Sequence, residues 1–428
     1  MRKARPTLAA ALAAAAVAAA TPAFAVPPQS MPPQTAPAQT PAGTMPVPTM
    51  PAADALPHNV SPQGATPQDV PHRDPGRRPG HPRDLPLSIH GGTWPTSHVQ
   101  GVTVDHEHGW VYWSFTQMLV KTDLEGNVLG TVEGLTGHLG DIDLNPRDGR
   151  VYGSLEYKAE EAFYIAVFDG AAVDRIGLDA ETDGVMTAVH LDEVVEDFTA
   201  DMDGDGVFDG DTADTADHRY GCSGIDGVSF GPSFGRTGGP QRLMVAYGVY
   251  SNTERADNDH QVILEYDVRT WHRYERPLTQ SEPHRSGPRR TAGKYFVYTG
   301  NTRFGVQNLE YDAYTGDWML AVYNGVKPGF PNYSFFIVDG SARPQRGEIA
   351  GQPEREHGRL LSLVDDGLHD PATGIRGWDF HGDYGLAALG NGYYYAAEGG
   401  PVPGGQEGEV HLYRWTGATP TPFERVTH

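Results

Sequence analysis

The sequence predicts an all-β fold. Three observations carry that expectation. One hairpin pattern recurs along the chain, each recurrence is followed by a further strand-like run, and little helical periodicity lies between them.

The recurrences read QGVTVDHEHGWVYWSFT (100–116), GDIDLNPRDGRVYGSLEYK (140–158), DGVSFGPSFGRTGGPQRLMVAYGVY (226–250), QNLEYDAYTGDWMLAVYNG (307–325) and YGLAALGNGYYYAAEGG (384–400). Each is a short apolar or alternating run, a turn rich in Asp, Asn and Gly, and an aromatic-aliphatic run, which is the composition of a β-hairpin. LVKTD (119–123), YIAVFD (164–169), VILEYD (262–267), SFFIVD (334–339) and VHLYRW (410–415) follow as third strands. Weaker fourth runs are clearest at NVLGTV (127–132) and FERVT (423–427). Four antiparallel strands repeated in this order are the signature of β-propeller blades. The count is five. KYFVYTG (294–300) and RLLSLV (359–364) lie outside the pattern and leave a sixth blade open, and LPLSIH (85–90) is expected to give an outer strand to the last blade.

Residues 181–221 interrupt the repeat between its second and third copies, with GVMTAVHLDEVVEDF spaced for a short helix and an acidic stretch after it. The propeller is assigned to 87–428. Ahead of it, residues 1–25 carry a basic start, an Ala/Leu-rich run and the small-x-small pattern Ala23-Phe24-Ala25, the features of a secretory signal peptide. Residues 26–86 hold 17 of the 35 prolines and are expected to form a disordered linker. The protein is thus expected to be secreted and extracellular, with no membrane span.

Net charge is −23, and residues 87–428 hold 25 basic against 51 acidic residues. That balance argues against nucleic acid, whose phosphates need a basic surface. It suits cations, neutral sugars or a solvated extracellular surface, and the expected partner is a carbohydrate or other extracellular small-molecule ligand. The single cysteine, Cys222, allows no internal disulfide and reads as a small buried residue.

In a propeller, the start of each first strand and the end of each second strand share the face at the channel mouth. His98, Gln100, His138, Asp141, Asp226, Gln307, Asn308 and His381 stand near the first position; Glu156, Tyr250, Asn324 and Glu398 stand at the second. Sequence-distant carboxylates, imidazoles and amides converging on one cleft are what a catalytic or metal site requires. Asp141 and Glu156 are the expected acid/base pair, with Asp226, His98 and His138 in support. Gln100, Gln307, Asn308, His381, Glu398, Tyr250 and Asn324 are the expected substrate contacts. A divalent metal in the channel is the other chemistry this ring could serve. Trp113, Tyr157, Tyr323, Trp378 and Tyr384 are aromatics near the same edge.

ADMDGDGVFDGD (200–211) sets Asp201, Asp203, Asp205, Gly206 and Asp209 at positions 1, 3, 5, 6 and 9, with Asp211 close behind. This resembles the EF-hand calcium loop and the calcium repeats of extracellular matrix proteins, and implies Ca²⁺ held by these five carboxylates. It departs from the EF-hand at position 12, which is Thr212. The repeat as a whole resembles β-propellers, among them five-bladed glycoside hydrolases and sugar lactonases of the senescence-marker type. The leading expectation is an enzyme that acts on a carbohydrate or sugar-derived substrate by hydrolysis or elimination. The alternatives are metal-dependent lactone hydrolysis, which the second resemblance implies, and non-catalytic binding of glycan or protein. Fold alone does not choose between them.

Overall fold

The computed structural model describes residues 85–427, so the expected signal peptide and almost all of the expected linker lie outside the described residues. The described chain is a five-bladed β-propeller.

The first blade comprises Val99–Asp105, Trp110–Phe115, Met118–Asp123 and Val128–Glu133, antiparallel in that order, with Leu178–Asp179 added in parallel at its edge. The second comprises His138–Leu144, Val151–Tyr157, Ala162–Phe168 and Met186–His190. The third runs Cys222–Gly231, Arg242–Val249, His260–Tyr266 and Gly293–Tyr298. The fourth has three regular strands, Arg303–Asp312, Asp317–Tyr323 and Phe335–Val338. The fifth has Leu386–Gly390, Tyr393–Val402 and Gly405–Trp415, and Ser88–Trp94 pairs antiparallel with the last of these. The N-terminal strand therefore closes the ring, as the sequence at 85–90 suggests. KYFVYTG is the fourth strand of the third blade and RLLSLV extends that same sheet, so no sixth blade forms.

The hairpin turns of the first, second and fourth blades share one chemistry. Asp105, Asn145 and Asp312 each accept backbone N–H bonds from residues two or three further on. A glycine four residues after each, Gly109, Gly149 and Gly316, takes a positive φ. The Asx acceptor and the left-handed glycine reverse the chain between strands, which is why Asp or Asn and Gly recur there.

Five apolar clusters lie between successive sheets. One joins the first and second blades around Tyr112 and Tyr164, the next joins the second and third around Phe163 and Tyr247, and Trp318 sits between the third and fourth. Tyr394 packs between the fourth and fifth, and Trp113 against Tyr395 between the fifth and first. Trp113 and Trp378 are thus inter-blade core. Cys222 is buried and free.

The segment 181–221 is not all insertion. Met186–His190 is a strand paired with Ala162–Phe168, and the helix is confined to Asp192–Phe198. Val189 and Ala188 complete a blade, while the helix buries Val194, Asp197 and Phe198 on one face. No helix among the described residues is long and apolar enough to cross a membrane.

Candidate functional site

His138 and Glu156 are direct cross-strand partners in the second blade, so the register places them together at the mouth. Bulges interrupt the first strands of the first four blades, at Val99/Gly101, Leu139/Ile142, Ile225/Val228 and Arg303/Val306. A bulge bends its strand and re-aims a side chain. Asp226 lies within one of these bulges.

The result is a cavity of about 690 Å³ lined by His98, Gln100, His138, Glu156, Asp226 and Gln307, together with Lys158, Ser223 and Tyr323. Five of the sequence-predicted first-strand residues and Glu156 from a second strand therefore converge. His138 Nδ1 lies 3.7 Å from Glu156 Oε2 and 3.6 Å from Asp226 Oδ1. Both separations are too long for a hydrogen bond. Neither His138 Nδ1 nor Asp226 Oδ1, both buried atoms, has a hydrogen-bond partner in the protein. The far oxygen of Asp226 accepts from the Gln307 amide at 3.1 Å, and Glu156 Oε1 accepts from the Ile225 N–H at 2.5 Å. Gln100 donates to the Thr116 hydroxyl at 3.1 Å.

Burial pushes the Asp226 carboxyl well above the usual carboxylate range, and the nearby Glu156 charge raises it further. Glu156 is raised as well, chiefly by burial, with Lys158 and the Ile225 amide partly offsetting. His138 is pushed down to about 4 by burial, with Lys158 and His98 adding to the effect. Its contacts to the two carboxyls are therefore those of a neutral imidazole. Burial alone would lower Lys158, but Glu156, Asp211 and Asp226 outweigh it and keep the ammonium charged. The site holds two carboxyls competing for one charge, a neutral imidazole between them, and one fixed cation.

Asp141 is not part of this cavity. It is buried, its Oδ2 accepting from the Val228 and Leu309 N–H groups at 2.9 and 3.0 Å and its Oδ1 from Ile142 at 2.9 Å. The strand begins at His138, which carries Asp141 down the channel, where it ties three blades together. Asn308 is likewise buried. Its amide donates to the Gln100 and Asp383 carbonyls and its oxygen accepts from Leu386, bridging the first, fourth and fifth blades. Tyr250 turns away to donate to Asp211 of the insertion. His381, Asn324 and Glu398 line a second cavity of about 740 Å³ with Arg303 and Tyr384, and Tyr323 borders both cavities. Tyr384 also meets the His98 and Tyr323 rings.

Lys158 was not singled out by sequence, although it stands two residues beyond Glu156. The turn Lys158–Glu160 brings it back over the cavity, and no spacing rule announces that. Also unmarked was a column of half-buried carboxyls below the mouth. Asp143 accepts from Phe230 N–H and the Thr103 and Ser229 hydroxyls, and Glu310 accepts from Ala388 N–H.

Gly224 (φ +120°) packs so closely that a Cβ there would lie 1.9 Å from Glu156 Oε1. Gly224→Ala is expected to displace Glu156 and destabilise the fold by about 2–4 kcal/mol. Urea denaturation measures this; an unchanged midpoint would refute the close packing.

In the insertion, Asp201, Asp203 and Asp205 are exposed and bring carboxylate oxygens within 4.8 Å of one another. Asp209 and Asp211 do not join that group. The buried Asp217 organises the loop by accepting from the Met202 and Asp209 N–H groups, both at 3.0 Å.

No protein-family profile and no curated protein matches the chain. Among solved structures it is similar to a protein of unknown function from Bacteroides caccae, with 8% identity over 63% of this chain and 87% of that one and a TM-score of 0.24. The propeller domain of Myceliophteria thermophila Cps50 (Swd1) gives 7% identity, 73% and 82% coverage and a TM-score of 0.28. The Dos1 propeller gives 10%, 74% and 78%, and 0.29. The five-bladed class is defined by this chain's own strand order and ring closure.

Proposed function

We propose that the protein is a secreted enzyme acting on a carbohydrate or sugar-derived substrate, by hydrolysis or elimination, at the cavity between His138, Glu156 and Asp226. The observation that carries this reading is the convergence of His138, Glu156 and Asp226 on one cavity, with the buried His138 Nδ1 and Asp226 Oδ1 lying 3.6 Å apart and without a hydrogen-bond partner in the protein. Buried polar groups are otherwise almost always hydrogen-bonded, so two unpaired groups on residues that line one cavity mark where a bound substrate would complete the hydrogen bonding once the side chains shift to meet it. Asp226, held protonated by burial, is the general acid, and Glu156 is the base or nucleophile. Lys158 offsets negative charge developing on the substrate. Tyr323 offers an apolar ring face to a sugar shared between the two cavities.

The test is incubation of the full chain with neutral glycosides, uronic-acid oligosaccharides and aldonolactones, with products read by mass and ultraviolet absorbance. Water added to the product identifies hydrolysis, and an unsaturated product identifies elimination. Saturable binding of these sugars without any turnover would replace the enzyme reading with a glycan-binding one. Turnover abolished by chelation but retained in Asp201→Ala/Asp203→Ala would assign a divalent metal to Glu156 and Asp226.

The loop at 200–211 is assigned Ca²⁺, held by Asp201, Asp203 and Asp205, because hard cations take clustered carboxylate oxygens. At millimolar calcium the expected stabilisation is about 1–3 kcal/mol for a site of roughly 10–100 µM affinity. Thermal melts with calcium and with chelator read it directly, and equal melting temperatures would refute the assignment.

A further inference from the structure

The third blade departs from the four-strand plan. Beyond Gly293–Tyr298, the strand His357–Leu361 adds in parallel, and Gln345–Glu348 pairs antiparallel with it. This extension, the helix Asp192–Phe198 and the turn after Phe234 enclose a cleft of about 1270 Å³ at the outer edge of the blade. None of the mouth residues lines it.

The charges in this cleft are unevenly matched. Among its acidic groups, Glu193 and Asp197 both contact the Lys294 ammonium at 2.6 Å, and Glu356 accepts from the Tyr220 hydroxyl at 2.6 Å. Its outer arginines lack such partners. Arg236, Arg343, Arg346 and Arg359 are exposed, and among the described residues none has a carboxylate within ion-pair distance. Arg359 meets the Tyr295 ring, its guanidinium 5.7 Å from the ring centre. Arg346 and Arg359 are also direct cross-strand partners. Like charges opposite one another destabilise an antiparallel pair. Four guanidinium groups without carboxylate partners on one cleft are all the more unexpected in a domain where acidic residues outnumber basic ones two to one. An oxyanion between them would relieve the repulsion, and guanidinium groups bind carboxylate and sulfate through paired hydrogen bonds.

We propose that this cleft binds an acidic polysaccharide, with Arg236, Arg343, Arg346 and Arg359 holding its carboxylate or sulfate groups. Glu196 and Glu193 stand in the same cleft and accept sugar hydroxyls. Those carboxylates would repel a polyphosphate, whose outer surface is anionic throughout. The site is separate from the channel mouth and does not depend on the chemistry there.

Calorimetric titration of the full chain with a heparin-derived hexasaccharide and with a hexagalacturonate tests the proposal. At least one is expected to bind, and more weakly as salt is raised. Arg346→Gln/Arg359→Gln is expected to weaken that binding about tenfold or more, as loss of charge-assisted contacts does. Its melting temperature should equal or exceed the wild-type value, since the like-charge pair is gone. Glu156→Gln should bind the same saccharide unchanged. Failure of both saccharides to bind, or binding that survives the double substitution, overturns the proposal. So does loss of binding in Glu156→Gln, which would put the saccharide at the mouth, and so does polyphosphate that outcompetes both saccharides.

Discussion

Asp141→Ala is expected to be among the most destabilising single substitutions in the propeller, at about 3–5 kcal/mol, measured as a lowered urea midpoint with an unchanged slope. The carboxyl receives N–H groups from the second, third and fourth blades. Removing it leaves three buried donors without an acceptor and opens a void at the channel wall. Asp141→Asn should cost less, because it fills the same volume and loses one of the three contacts and not all of them. The amide oxygen can still accept from Val228 and Leu309, although its NH2 group then meets the Ile142 N–H. Burial drives the native carboxyl well above its usual range, with the three amides partly offsetting. The column around it sets a pH dependence. Asp143 is raised to about 6 and Glu310 is raised well above its ordinary value, both chiefly by burial. A carboxyl with a raised folded pKa binds more protons folded than unfolded. Its stabilising contribution is full below the unfolded value and is lost as pH rises through the folded one. For Asp143 that loss falls between about 4 and 6. Asp143→Asn should flatten the stability profile across that window, and a profile identical to wild type would contradict the assignment.

Glu156→Gln and Asp226→Asn are each expected to lower turnover of the substrate found by the screen about 10²–10⁴-fold, the usual weight of a general acid or base. Neither should unfold the protein. The Glu156→Gln amide keeps an oxygen to accept the Ile225 N–H, and the Asp226→Asn amide keeps one to face Gln307. With Asp226 as the acid, activity is present below its raised folded pKa and lost as pH rises through it. Asp226→Asn should abolish that alkaline limb along with the rate. The same raised values make both carboxyls a burden on stability at alkaline pH, so each amide variant should gain stability relative to wild type as pH rises. Turnover that survives both substitutions would remove the acid/base assignment. A loss of turnover accompanied by a lowered melting temperature at every pH would show a structural role instead.

How far the site was legible in the sequence can be judged from two neighbours, Asp141 and Glu156. Glu156 sits opposite His138, and alternation along two antiparallel strands is enough to bring that pair to one edge. Asp141 lies beyond the irregularity between Leu139 and Ile142, where register no longer follows from counting. Its carboxyl meets amides of two other blades, a contact of long sequence separation that no local pattern encodes. Asp226 differs in the opposite direction. Its own bulge turns it into the cavity, so the carboxyl that stands beside Glu156 comes from the third blade and not from the second. Lys158 and the two cavities divided by Tyr323 depend on loops whose direction is set by packing.

The sequence by itself determined the repeating unit. Apolar alternation makes the strands, the Asp or Asn acceptor with a glycine four residues later makes three of the five turns, and both act within a few residues of the chain. Five repeats and a strand-forming segment at 85–90 were enough to imply a closed ring, which the strand Ser88–Trp94 closes. Only the tertiary structure decided which carboxyls face the cavity and which brace the channel, and that KYFVYTG and RLLSLV enlarge the third blade. It also decided that four arginines from three separate segments share one cleft. Burial and charge at these places are sums over neighbours from different blades, and those neighbours exist only once the ring has closed.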